Sequence, residues 1–430
     1  MGDRLKLFLA KATFVSFIIQ GLGALLFLLI DVIVARRIGV QQFGIYSIAK
    51  AWMNILALIS TLGLNHLLLR FVPEYLSKKD FMSLKGVIRW SSDLVTATSI
   101  CILILGVLLL SIFNYQTPSY SSFLWIMFSL PFMALSSLRQ SVLRGLGTFA
   151  YALSPEFIIK PILILLTLSF FATTKINAAQ SLQIIFFSIL ITYFISTFWQ
   201  KTFLPLKVKE SDFLYHIKQW KDVAISMFLV VGLGFLSIRI DIVILGLISG
   251  AENVGVYAAA SRLADMLVFS LVAVNIAVTP MISGFHTTNK HFELQSMIKL
   301  VARGIFFFTV PLIIIMIIFG HELLGFFGKG FEIGYSIFIL LMIGQLASIC
   351  SGPVGPILMM TGFHKSVVKF TAISALFNLI LNLLLIPLFG MIGAALATSM
   401  SLILLNLMML VKVKRSLGLN PTIFSMRLVI

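Results

Sequence analysis

Twelve separate runs of this chain are long and apolar enough to cross a lipid bilayer, and that feature limits the fold to a bundle of membrane-spanning helices. Crossing about 30 Å of hydrocarbon takes roughly 20 residues at 1.5 Å each. Every backbone N–H and C=O inside lipid must also be satisfied within the protein itself. The runs cover residues 12–35, 43–69, 87–112, 121–143, 152–171, 181–204, 223–247, 254–280, 300–320, 334–359, 367–386 and 391–411. No gap between them would hold a folded extramembrane domain, and the longest, 70–86, 205–222 and 281–299, are all charged. Composition agrees, with 60% hydrophobic and 11% charged residues, against about 25% charged in a soluble domain. The expected class is an all-α integral membrane protein. Arg4, Lys6 and Lys11 precede the first run, which has no small-residue cleavage pattern and is expected to stay in place as a signal anchor.

A net charge of +17 on a soluble protein would suggest a nucleic-acid partner. Here its placement reads as topology, and no basic run with interleaved aromatics stands clear of a span. With both termini on the cytoplasmic side, the loops and tails of that side hold 24 of the 32 Lys and Arg residues, and the opposite side holds only Arg36, Arg37, Lys175 and Lys329. The expected location is the plasma (inner) membrane, multi-pass, with no nucleic-acid partner. Cys101 and Cys350 both lie in apolar runs and the six histidines are scattered, so neither a disulfide framework nor metal-ligand spacing is present. No cofactor, metal or catalytic residue is expected.

The sequence also repeats itself. At an offset of 211 residues, Gly21-Leu22-Gly23 matches Gly232-Leu233-Gly234, Gly39 matches Gly250, and Gly44-x-Tyr46 matches Gly255-x-Tyr257. Asp31 and Asp241 follow at an offset of 210, and Leu143-x-x-x-Gly147 pairs more loosely with Leu358-x-x-x-Gly362. Each copy holds an even number of spans, so both enter the membrane from the same side and form two parallel six-helix lobes, an arrangement suited to alternating access. The expected organisation is a first lobe over 1–204, a cytoplasmic linker over 205–222, a second lobe over 223–411 and a cytoplasmic tail over 412–430. Glycines in the first helix of each lobe can serve close packing or bending.

Two stretches resemble a known family. Asp31-Val-Ile-Val-Ala-Arg-Arg-Ile-Gly39-Val-Gln-Gln-Phe43-Gly44-Ile-Tyr46 is similar to the D-x-x-I-A-R-x-x-G-x-x-x-F-G-x-Y signature of polysaccharide exporters and O-antigen (Wzx-type) flippases. These belong to the multidrug/oligosaccharidyl-lipid/polysaccharide exporter superfamily. Asn378 to Asn382, Ile386-Pro387 and Gly390-Met-Ile-Gly393-Ala-Ala-Leu-Ala397-Thr398 resemble a hairpin common in that superfamily. Pro387 and Gly390 would turn one span into the next, with Gly390, Gly393, Ala394 and Ala397 giving a small-residue packing face. The resemblance implies a flippase that moves a polyprenyl-diphosphate-linked oligosaccharide from the cytoplasmic to the outer leaflet for polysaccharide, O-antigen or lipopolysaccharide synthesis. The implied partners are that lipid-linked oligosaccharide, the bilayer and polysaccharide assembly proteins. Twelve spans favour this branch over the lipid II flippases, which usually have fourteen.

Ionisable groups inside spans are costly unless paired or wet, which marks them as candidates. The expected substrate-binding cations are Lys50, Arg262, Arg239 and Lys160, and the expected coupling or gating carboxylates are Asp31, Asp241 and Glu156. Lys50 and Arg262 follow Tyr46 and Tyr257 near the start of the second span of each lobe, where they would face a central cavity. Glu156 and Lys160 can pair at i, i+4, as can Arg262 and Asp265 at i, i+3. Glu156 and Lys160 also sit between Pro155 and Pro161, where the fifth span should be bent. Arg36 and Arg37 could meet the diphosphate on the outer side or simply lie at the interface. The charges balance four against four, so mutual pairing is an equal alternative to substrate binding. Two other functions stay open. One is a cation-coupled drug antiporter of the same superfamily. The other is a membrane enzyme of polysaccharide assembly, which would need a catalytic loop outside the membrane, whereas the outer loops are short and nearly uncharged apart from 321–333.

Overall fold

In the computed structural model, every regular element among the described residues is helical. The description covers residues 2–113, 118–171, 175–287 and 291–423. Within these ranges the side chains of 2–13, 113, 118–119, 226, 229–231, 233–239, 268–277, 280, 283 and 286–287 lie outside it.

Among the described residues, nine helices are long and apolar enough to cross a membrane. Three belong to continuous stretches, Gly2–Thr61, Ile217–Thr287 and His364–Leu417, of 60, 71 and 54 residues. A straight helix of the shortest of these would measure about 80 Å, far beyond the thickness of a bilayer. Each is bent in two at a glycine: Gly39 (φ 75°, ψ 173°), Gly250 (φ 83°, ψ 172°) and Gly390 (φ 56°, ψ −131°). Side chains are strained at such angles, whereas glycine adopts them freely. No neighbouring atom lies within 4 Å of the place a Cβ would take at any of the three. The backbone angle, rather than lack of space, therefore requires glycine there.

Among the described residues, dividing these three stretches at their glycines gives twelve spans: 2–38, 40–61, Phe81–Phe113, Pro118–Gly145, Phe149–Phe170, Ala178–Phe203, 217–249, 251–287, His291–Ile318, Tyr335–Ser351, 364–389 and 391–417. Many large apolar side chains of these spans face outward, with Phe170, Leu247 and Leu300 exposed by 87%, 76% and 74%. That surface suits lipid and would be untenable in water. The chain divides into two compact units, Met1–Ile38 with Ile45–Phe235, and Gly39–Gly44 with Leu236–Ile430.

In the first unit, the second span stops at Leu62 and Gly63, both at positive φ, and a further helix, Leu64–Lys78, follows. The sequence reading ran that span on to residue 69 and treated 70–86 as a charged break. The difference has a physical cause. Leu64, Leu67, Leu68, Phe71, Val72 and Tyr75 recur at helical spacing and are buried against Leu84, Val87, Leu138 and Val142, while Arg70 and Lys78 stay exposed. The charged segment 205–222 is likewise ordered. A short helix, Leu206–Glu210, leads to a strand of chain docked on the third span. There the Leu214 N–H donates to the Met82 carbonyl (3.1 Å) and Lys85 Nζ to the Lys209 carbonyl (2.8 Å). A Cβ on Gly86 would collide with the Leu214 carbonyl. Trp220 is fully buried, and its indole N–H donates to the Tyr75 hydroxyl at 3.0 Å.

In the second unit, Pro387 and Gly390 turn the eleventh span into the twelfth as the motif suggested. A Cβ on Gly393 would meet the Leu385 carbonyl, and Ala394 and Ala397 are fully buried. The segment Gly39–Gly44 packs within this unit. A Cβ on Gly44 would fall on the Ala251 carbonyl, and one on Gly255 on the Val40 carbonyl. Residues 40 and 44 become 251 and 255 at the 211-residue offset, so the two glycines make reciprocal backbone contacts. Phe43, also buried, sits edge-on to Phe327 and Phe331, with ring centroids 6.2 and 5.7 Å away.

Candidate functional site

The bends at Gly39 and Gly250 fold each repeat's first span back along its second. Asp31 lies eight residues before Gly39 and Tyr46 seven after it, so both sit roughly 12 Å from the bend and face each other. The Tyr46 hydroxyl donates to Asp31 Oδ1 at 3.2 Å. Lys50, one turn beyond Tyr46, completes the group: its Nζ lies 2.9 Å from Asp31 Oδ1 and 3.2 Å from the Tyr46 hydroxyl, and 4.8 Å from the Tyr46 ring centroid. Asp31 and Tyr46 are 2% and 1% exposed, so the carboxylate depends on these partners for its charge to persist.

The second repeat builds a related but different group. The Tyr257 hydroxyl donates to Asp241 Oδ2, the Thr398 hydroxyl reaches the same oxygen at 3.3 Å, and the Ile242 N–H donates to Oδ1 at 2.8 Å. Asp241 stands nine residues before its glycine rather than eight, which accounts for the slipped offset. The position equivalent to Lys50 is Ser261, whose hydroxyl is turned back onto the Ala258 carbonyl. The first group is thus an ion pair bridged by a phenol, whereas the described donors to the second carboxylate are neutral.

A third charged group lies where the fifth span is broken. Pro155–Ile159 forms a single π-helical turn, in which Glu156 pairs with Lys160. The lysine is buried, with its Nζ 5.4 Å from the Phe27 ring centroid. A Cβ on Gly23 would strike Phe157, so this glycine of the first span is there for close packing on the irregular turn. Gly232, which matches Gly21 at the 211-residue offset, has open space where a Cβ would stand. Arg37 does not stand ready for a diphosphate: its guanidinium donates to the Leu168 carbonyl at 2.7 Å and the Phe171 carbonyl at 3.3 Å, capping the end of the fifth span. Arg262 and Asp265 are half-buried and each is engaged by a partner. The side chain of Arg239 lies outside the described residues.

Of the residues expected to act, the structure therefore joins Asp31 with Lys50 and Glu156 with Lys160, and sets Asp241 in its own donor cluster. Tyr46, Tyr257 and Thr398 are not among the residues the sequence led one to expect as participants. The signal was present, since both tyrosines fall in the repeated Gly-x-Tyr motif and Thr398 ends the hairpin motif.

Comparison with known proteins follows the same lines. The model of the family described as "Polysaccharide biosynthesis protein" matches residues 9–286. The chain is 23% identical over 396 residues to the "Probable low-salt glycan biosynthesis flippase Agl15" of Haloferax volcanii, a match covering 91% of this chain and 81% of that protein. Among solved structures, a multidrug resistance MATE family transporter of the MOP superfamily, in an inward-facing conformation, is similar with a TM-score of 0.77 at 14% identity, over 92% of this chain and 94% of that one. The lipid II flippase MurJ, in an inward closed conformation, gives 0.71 at 21% identity, over 94% and 87%. At these identities the structural likeness is one of fold.

Proposed function

We propose, because the chain belongs to the polysaccharide biosynthesis protein family, that it flips a polyprenyl-diphosphate-linked oligosaccharide from the cytoplasmic to the outer leaflet by alternating access, serving surface polysaccharide or O-antigen synthesis. The observation that carries this reading is the match along 91% of the chain to a protein named as a glycan biosynthesis flippase. The protein is a multi-pass membrane protein of a transporter fold. Its proposed setting is the plasma (inner) membrane with both termini cytoplasmic, on the asymmetry of Lys and Arg.

Lys50 and Lys160 in the first unit, and Arg239 and Arg262 in the second, are the proposed diphosphate-holding cations. The arginines offer bidentate geometry and the lysines point charge. Asp31, Asp241 and Glu156 are the proposed coupling or gating carboxylates. Their contacts support a switching role: Lys50 can leave Asp31 for a phosphate oxygen only if Asp31 is compensated, by a proton or a small cation, while Tyr46 remains its donor. In a strain that depends on this protein for surface glycan, depletion is expected to leave lipid-linked glycan facing the cytoplasm, with sensitivity to amphipathic drugs unchanged. The converse, normal surface glycan with raised drug sensitivity, favours the antiporter reading. Reporter fusions after residues 80 and 210 should report the cytoplasm, and those after 175 and 329 the outside.

A further inference from the structure

The twelfth span ends in two parallel side-chain rows. Leu407, Val411 and Arg415 follow one another at i, i+4, and Met408, Lys412 and Ser416 run beside them. With Phe370 of the eleventh span they line a slot of about 460 Å³ whose walls are almost wholly apolar. Leu407 and Val411 are 50% and 44% exposed, so the slot opens sideways, toward lipid. Its basic end is built. Lys412 is held with its Nζ 4.8 Å from the centroid of the Phe363 ring, and Arg415 stands one turn beyond Val411.

The last two spans and the tail contribute no counter-charge of their own to these cations. No residue from Ile333 to Ile430 is acidic, while that stretch contains Lys365, Lys369, Lys412, Lys414, Arg415 and Arg427. Lys414 and Arg415 complement the helix C-terminus. That role does not explain why Lys412 is kept over an aromatic ring at the mouth of an apolar slot.

We propose that this slot binds one anionic membrane lipid, with its phosphate held by Lys412 and Arg415 and one hydrocarbon chain lying along Phe370, Leu407 and Val411. The basic end supplies the attraction for the headgroup, and the apolar walls select an amphiphile over a bare anion. On the orientation proposed above, the lipid is one of the cytoplasmic leaflet. The site is independent of the flipped substrate.

Native mass spectrometry of the full-length protein, offered phosphatidylglycerol and phosphatidylcholine together, tests the assignment. Wild-type protein is expected to retain phosphatidylglycerol in preference. The double variant Lys412→Gln, Arg415→Gln should retain it at least about tenfold less well. Leu407→Trp, which leaves both cations and fills the slot from a lipid-exposed position, should weaken retention as well, while Lys218→Gln with Lys221→Gln should not. Equal retention of the two lipids, unchanged retention in both slot variants, or displacement by inorganic phosphate at the same concentration would overturn the proposal.

Discussion

Replacing Gly44 with valine is expected to remove folded protein from the membrane, or to leave a form that melts far below the wild type. The added Cβ would fall on the carbonyl of Ala251, and a backbone atom cannot turn aside as a side chain can. Overpacking a core costs about 1–3 kcal/mol where side chains can adjust, so a clash with backbone should cost about 3 kcal/mol or more. Gly255→Val should behave alike, since it meets the Val40 carbonyl. Gly39→Ala separates the two reasons for glycine in this motif. No atom stands within 4 Å of its Cβ position, but φ is 75°, so only backbone strain of about 1–3 kcal/mol is added. Thermal unfolding in detergent should therefore rank Gly44→Val well below Gly39→Ala, and Gly39→Ala below wild type. Equal stability of Gly44→Val and wild type would show that the reciprocal glycine contact is not made.

The second large effect concerns Lys50 and Asp31. Removing one member of a buried pair costs about 3–5 kcal/mol, because the other is left as an uncompensated charge. Lys50→Met alone is therefore expected to destabilise the protein strongly, with Asp31→Asn somewhat milder because Lys50 is 16% exposed and can reach water. The double variant Asp31→Asn, Lys50→Met removes both charges and keeps Tyr46, and it should recover most of the lost stability. Transport distinguishes structural pairing from substrate binding. If Lys50 holds the diphosphate, the double variant is abundant and stable yet fails to restore surface glycan in the dependent strain. Restored glycan at wild-type level would show that the pair serves structure alone.

The sequence made the twelve spans and the repeat plain, because hydropathy and glycine spacing are properties of the chain itself. It also placed the turn at Pro387 and Gly390 correctly. Gly39 and Gly250 are visible in the sequence as repeated glycines, but only Gly21, Gly23 and their repeat partners carry the expectation of close packing or bending. Nothing local marks Gly39 and Gly250 as the points where the chain reverses. The helix Leu64–Lys78 was hidden because Arg70, Glu74 and Lys78 break the average hydropathy, although its apolar residues keep helical spacing. The docking of 206–216 on the third span rests on backbone hydrogen bonds between segments more than 120 residues apart, such as Leu214 to Met82, and no local pattern announces those. At the candidate site, the charged residues could be named from their cost in lipid. The pairing of Asp31 with Lys50 could not, because it depends on the reversal at Gly39 that brings residues 19 apart to within 2.9 Å.

The central claim is the identity of what moves. Purified protein in proteoliposomes, loaded on one side with a fluorescent polyprenyl-diphosphate-linked sugar, measures it most directly. The account predicts that the labelled sugar becomes accessible to a membrane-impermeant quencher on the opposite side at a rate well above that of protein-free vesicles, and that the Asp31→Asn, Lys50→Met protein does not accelerate it. No acceleration of the lipid-linked sugar by correctly folded wild-type protein, with cation-coupled movement of an amphipathic dye in the same vesicles, would contradict it.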